Sequence, residues 1–189
     1  MAKNLHLTGD ADADKLLSDD PFALLTGMLL DQQVAMEVAF AGPKKIADRM
    51  GGFSVTRIAE SDLDSFVELC VEKPAIHRYG GSMGKRVHAL AQYIVDNYGG
   101  KTEAIWQEGK PDGKEVLKRL KALPGYGDQK ARIFLALLGK QRGVSPDGWR
   151  EAAGAYGEDG SRRSIADVTG PESLAEVRAF KKAAKAAAK

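Results

Sequence analysis

The sequence predicts an all-α protein. Apolar residues recur at the 3.6-residue helical spacing through every long segment, and no segment alternates at period two. Capping residues and Gly or Pro breaks divide the chain into short helical units. After an arm from Leu5, a first helix centres on Ala13 to Leu17. Asp20-Pro21 opens the next, with aspartate as N-cap and proline in the first turn. That helix carries Phe22, Leu25, Met28 and Leu29, is apolar on most sides and reaches Asp31-Gln32-Gln33. A helix over Met36 to Met50 is bent or restarted at Gly42-Pro43 and ended by Gly51-Gly52. Ser54 and Ser61 read as N-caps of two short helices, the second running to about Glu72. Lys73 to Gly84 reads as a loop, rich in Pro and Gly. Lys85 to Tyr98 is an amphipathic helix stopped by Gly99-Gly100, and Thr102 caps a short one through Trp106.

Asp112 caps a helix over Lys114 to Ala122, on which Val116, Leu117 and Leu120 share a face. Ile133, Phe134, Leu137 and Leu138 mark another, and only Leu123-Pro124-Gly125-Tyr126-Gly127 lies between them. Pro124 stops the first helix, and the two glycines permit a tight turn with positive φ. The next helix then presents its free N–H groups and positive dipole end, a ready anion site. Further on, Ser145-Pro146 opens a helix with Ser145 as N-cap and Asp147 in its first turn. Tyr156 to Arg163 reads as a polar loop. A last helix starts at Thr169 and Pro171, and its end at 181–189 is expected to fray for want of a core face.

The pattern Leu123-Pro124-Gly125-x-Gly127-x-x-x-Ala131 resembles the helix-hairpin-helix (HhH-GPD) of DNA glycosylases of the endonuclease III superfamily. The resemblance implies two helical lobes: a central one over 21–138, containing the hairpin at 114–138, and a second made of 1–20 plus 139–189. It implies that the hairpin grips a DNA phosphate through backbone amides, with Leu123, Gly125, Tyr126, Gly127, Gln129 and Lys130 as DNA-binding residues. It also implies a catalytic aspartate. In family members with a catalytic lysine, that lysine stands two residues after the second hairpin glycine, and the aspartate eighteen positions later. Here those positions hold Gln129 and Asp147; Lys130 is one residue away, about 100° around the helix. Leu29-Leu30-Asp31-Gln32-Gln33 resembles the family segment whose glutamine enters the duplex near a flipped base, which puts Gln33 in that role. Asp31 and Trp149 are assigned to the base pocket. Arg78, Tyr79 and Met83 are candidates for the family's duplex wedge.

Composition narrows the rest. With a single cysteine, Cys70, the chain holds no internal disulfide and no four-cysteine iron–sulfur cluster of the kind many relatives carry, so no cofactor or metal is expected. No apolar run approaches the ~20 residues of a membrane helix, and the first residues lack a signal-peptide pattern, so a cytoplasmic, nucleoid-associated monomer is expected. Net charge is +2, yet residues 1–72 carry a net −7 and residues 110–163 a net +5. The basic segment coincides with the hairpin and suits a polyphosphate partner; the resemblance implies that this partner is double-stranded DNA with a damaged or mispaired base.

Rupture of an N-glycosidic bond builds positive charge on the sugar, which a carboxylate stabilises. Asp147 is the expected carboxylate. Gln129 cannot form a Schiff base, so the expected activity is a monofunctional one that leaves an abasic site. Two other readings stand beside it: a non-enzymatic DNA-binding module, and a helical protein-interaction domain using the acidic N-terminal third.

Overall fold

The computed structural model describes residues 3–189, and among them only helices, turns and loops occur. The helices are α1 (Ala11–Asp19), α2 (Pro21–Leu30), α3 (Met36–Met50), α4 (Val55–Glu60), α5 (Leu63–Val71), α6 (Gly80–Tyr98), α7 (Ala104–Gln107), α8 (Gly113–Lys121), α9 (Asp128–Gln141), α10 (Trp149–Ala153) and α11 (Pro171–Ala187). Short 3₁₀ turns lie between α10 and α11, at Gly154–Gly157 and Ile165–Asp167.

Helix α2 is the axle. Asp20 caps it by accepting from the Phe22 and Ala23 amides, and every residue from Phe22 to Leu30 is buried. Apolar on all sides, it has neighbours all round: α3, α6 and α9 pack against it. Each Leu or Phe so buried contributes ~1.5–3 kcal/mol through area removed from water. One continuous apolar cluster runs from Leu5 and Leu7 of the arm through α2, α6 and α9 to Val177 on α11. The arm is fastened by Asp14, whose carboxylate accepts from the Leu7 and Thr8 amides at 3.0 and 2.9 Å.

Four expected boundaries are corrected. Helix α3 neither restarts nor breaks at Gly42-Pro43; Pro43 lies inside a continuous helix. Gly42 is there for packing, because a Cβ would meet Leu30 Cδ1 at 2.5 Å. Ser61 ends α4, and Asp62 caps α5 through the Ser65 amide. Gly80, Gly81 and Gly84 belong to the first turns of α6, not to a loop. A Cβ on Gly84 would stand 3.0 Å from Cys70 Cβ, so glycine there lets α6 lie close on α5. Finally, α11 stays helical to Ala187 instead of fraying from 181. Its earlier turns are tied down by Arg178 to Glu37 on α3 and by Glu176 to Arg162.

Candidate functional site

Helices α8 and α9 form the hairpin. Asp112 caps α8 through the Glu115 amide, and Lys121 meets Asp128 at 3.3 Å across the turn. Gly125 has φ 81° and is exposed. Gly127, also exposed, is the N-cap of α9 with φ −87°, so it needs no positive φ. The side chains of Leu123 and Tyr126, expected in the DNA-binding hairpin, belong to the core. Leu123 is buried, and buried Tyr126 donates its hydroxyl to the Leu25 carbonyl at 2.5 Å, while burial holds its phenol well above the ordinary range. Their packing fixes the hairpin on α2, leaving glycine backbone outermost.

The two glycines therefore make different probes. A Cβ on Gly125 would meet Leu29 Cδ1 at 2.4 Å and sit at positive φ, whereas one on Gly127 meets nothing. Gly127→Ala is expected to keep the melting temperature but weaken binding to unrelated duplexes alike, because the methyl intrudes only where a phosphate approaches the amides. Equal affinity of wild type and variant across several duplexes would leave the turn a purely structural one.

Beside the hairpin, a cleft of about 530 Å³ is lined by Met28, Asp31, Gln32, Gln129, Lys130, Ile133, Ala155, Tyr156, Arg163, Phe180, Lys181 and Ala184. It lies where the end of α2, the start of α9, the 3₁₀ turn after α10 and α11 converge. Gln129 Nε2 donates to the Tyr156 hydroxyl at 3.0 Å. Lys130 Nζ donates to the Leu29 carbonyl at 2.5 Å, closing the last turn of α2. Burial, partly offset by nearby Asp31, lowers the Lys130 amine to about 8. Asp31 is the C-cap of α2, half-buried, and the one acid among these lining residues. Arg163 covers the Phe180 ring at 5.1 Å.

Asp31, Gln129 and Lys130 thus come together, but Asp147 and Trp149 do not line this cleft. No helix starts at Ser145: Gly148, at φ 74°, is the N-cap of the five-residue α10, and Asp147 precedes it, exposed. The Asp147 carbonyl accepts from the Gly113 amide at 2.7 Å, which sets it beside the start of α8, the end of the hairpin remote from its turn. Trp149 lies against Gly139, near the end of α9, where a Cβ would come within 2.5 Å of the indole. The chain then runs back along α9, with Arg132 bonding Ala152 and Gln129 bonding Tyr156. The eighteen-residue interval therefore matches in sequence, but α9 continues to Gln141 and carries the aspartate to the end of the hairpin remote from its turn and from this cleft.

Gln33 does not line the cleft; it is exposed, at φ 58°, next to the lining residue Gln32. Its segment is pinned by buried His77. The His77 Nδ1 accepts from the Tyr79 amide at 3.0 Å, which leaves Nε2 to donate to the Gln32 carbonyl at 2.9 Å. Gln32 reaches Met83 Sδ at 3.5 Å. Of the wedge candidates, Tyr79 and Arg78 are exposed with the guanidinium 5.1 Å from the ring, while Met83 is buried. Sequence reasoning missed His77, Tyr156, Arg163, Phe180 and Lys181. None sits in a motif, and tertiary packing alone assembles them.

The iron–sulfur cluster of many relatives does not fit. Cys70 is buried against α6, its thiol pushed up to about 12 by desolvation, and no group of three His, Cys, Asp or Glu at metal-binding geometry occurs among the described residues. No helix among them is long and apolar enough to cross a membrane.

No curated protein and no solved structure matches the chain. A family model, described as HhH-GPD superfamily base excision DNA repair protein, matches residues 26–182, which contain the hairpin and all twelve cleft residues but the last, Ala184. Hairpin, all-helical fold and match agree, and the chain belongs to the HhH-GPD superfamily of base excision DNA repair proteins.

Proposed function

We propose that the protein is a monofunctional DNA glycosylase that hydrolyses the N-glycosidic bond of a damaged or mispaired base and leaves an abasic site. The observation that carries this reading is a cleft of about 530 Å³, with one acid in its lining, opening beside the anion-binding end of the hairpin. Enzymes that act on a base extrude it from the duplex into such a pocket, and ligand pockets span ~300–1,000 Å³. Tyr156, Phe180, Met28 and Ile133 offer apolar surface to a ring, while Gln32 and Gln129 offer amides to its edge. Arg163 and Lys181 suit the flanking phosphates. A non-enzymatic DNA-binding module has no use for a half-buried acid in such a cleft.

The test is a panel of duplexes with single damaged or mispaired bases, incubated with protein and then treated with alkali. Strand breaks at the lesion after alkali, and none without it, are expected. Salt-dependent binding with no break on any duplex would favour the binding-module reading.

One observation favours a second reading, in which Lys130 adds strand cleavage. Its amine lines the same cleft and titrates near 8. A depressed amine is held neutral, and nucleophilic, as pH rises through that value. Since Lys130 is occupied by the Leu29 carbonyl, borohydride is expected to trap no covalent protein–DNA adduct at pH 7. An adduct that grows between pH 7 and 9 and vanishes in Lys130→Gln would establish the second reading.

A further inference from the structure

We propose that Asp31 is the catalytic acid of the cleft, giving its proton to the departing nitrogen of an extruded neutral nucleobase. The inference rests on the glycosylase reading and assigns the chemistry to a residue other than Asp147. Three observations carry it. Asp31 is the one acid among the residues lining the cleft, and its carboxylate has no hydrogen-bond or ion-pair partner within the described structure. It closes α2 at the C-terminus, where the helix dipole is negative and favours a bound proton. The nearby amine of Lys130 is turned to the Leu29 carbonyl at 2.5 Å, so it does not consume the acid in a salt bridge.

Charged and polar groups line the cleft around Asp31 on every wall. Lys130 lies on α9, Lys181 on α11, Arg163 on the loop before the second 3₁₀ turn and Tyr156 on the first. Arg86 on α6 acts on Lys130, and the His77 ring holds the adjoining Gln32. Lys181 and Lys130 favour the carboxylate, but burial is the larger effect and raises Asp31 above the ordinary aspartate range. In the step itself the C1′–N bond breaks and its electron pair goes to the base. The base nitrogen takes the Asp31 proton. A water oxygen bonds to C1′, and the proton that water releases restores Asp31 through solvent.

A neutral leaving base requires such a proton, whereas an N7-methylated purine, already cationic, does not. Single-turnover release is therefore compared for the best neutral-base duplex of the panel and for one with N7-methylguanine. Asp31→Asn is expected to slow neutral-base release by ~10²–10⁴-fold and to remove the fall in rate at rising pH. Release of N7-methylguanine is expected to change less than tenfold. The variant should melt at or above the wild-type temperature at pH 7, because the burdened charge is gone; that gain disappears at pH values below the ordinary aspartate range, where both side chains are neutral. Asp31→Glu, which keeps a carboxyl, is expected to recover part of the rate. Undiminished neutral-base release in Asp31→Asn, an equal loss on both substrates, or wild-type release confined to cationic bases would each overturn the inference while leaving the glycosylase reading intact. Release of no base by the wild type would instead defeat that reading, and the inference with it.

Discussion

Asp167→Ala is expected to cost ~3–5 kcal/mol, the range for leaving one partner of a buried pair uncompensated. Asp167 is almost fully buried and receives Lys140 Nζ at 2.6 Å, itself only 12 % exposed. The same carboxylate accepts from Ser161 Oγ at 2.9 Å and from the amides of Arg163 and Ser164 at 2.9 and 3.3 Å. It thus fastens the 161–164 loop to α9 and, through Arg163 and the Phe180 ring beneath it, one wall of the cleft. Removing the carboxylate strands an ammonium in a low-dielectric setting and frees that wall. Urea denaturation measures the loss. Lys140→Met combined with Asp167→Ala is expected to recover part of it, since the stranded charge is then absent. A single variant within ~0.5 kcal/mol of wild type would show that the loop is held by other contacts.

The sequence carried much of this fold because its punctuation is local. Asp20-Pro21, Asp112, Gly51 and Gly99 end or begin helices through their own amides, carboxylates and permissive φ, and each does so in the structure. Glycines that serve packing misled the reading. Gly80 and Gly84 look like loop residues but are small so that α6 can approach Cys70, a demand set by a partner helix. The Lys/Ala run after 181 is exposed throughout, yet Lys181 and Ala184 line the cleft. The hairpin was legible because it is a contiguous turn. The cleft was half legible: Asp31, Gln129 and Lys130 sit in recognisable segments, whereas Tyr156, Arg163 and Phe180 reach it only through the path of the chain after α9. Asp147 shows the limit of spacing arguments, since an unbroken interval fixes a register but not the length of the helix between its ends.

On the proposed reading, a base leaves its stack and enters the cleft between α2, α9 and α11. Ala155 and Ala184 are both exposed and line it from the 3₁₀ turn and from α11. Neither belongs to the hairpin, so large side chains there fill the cleft without touching the phosphate site. The most direct measurement is single-turnover base release by Ala155→Trp/Ala184→Trp on the best duplex of the panel, with binding to an undamaged duplex measured alongside. Release is expected to fall by ~10²-fold or more, because the reacting base no longer reaches its geometry, while affinity for the undamaged duplex stays within about twofold. Base release at the wild-type rate with the cleft so filled would contradict the account.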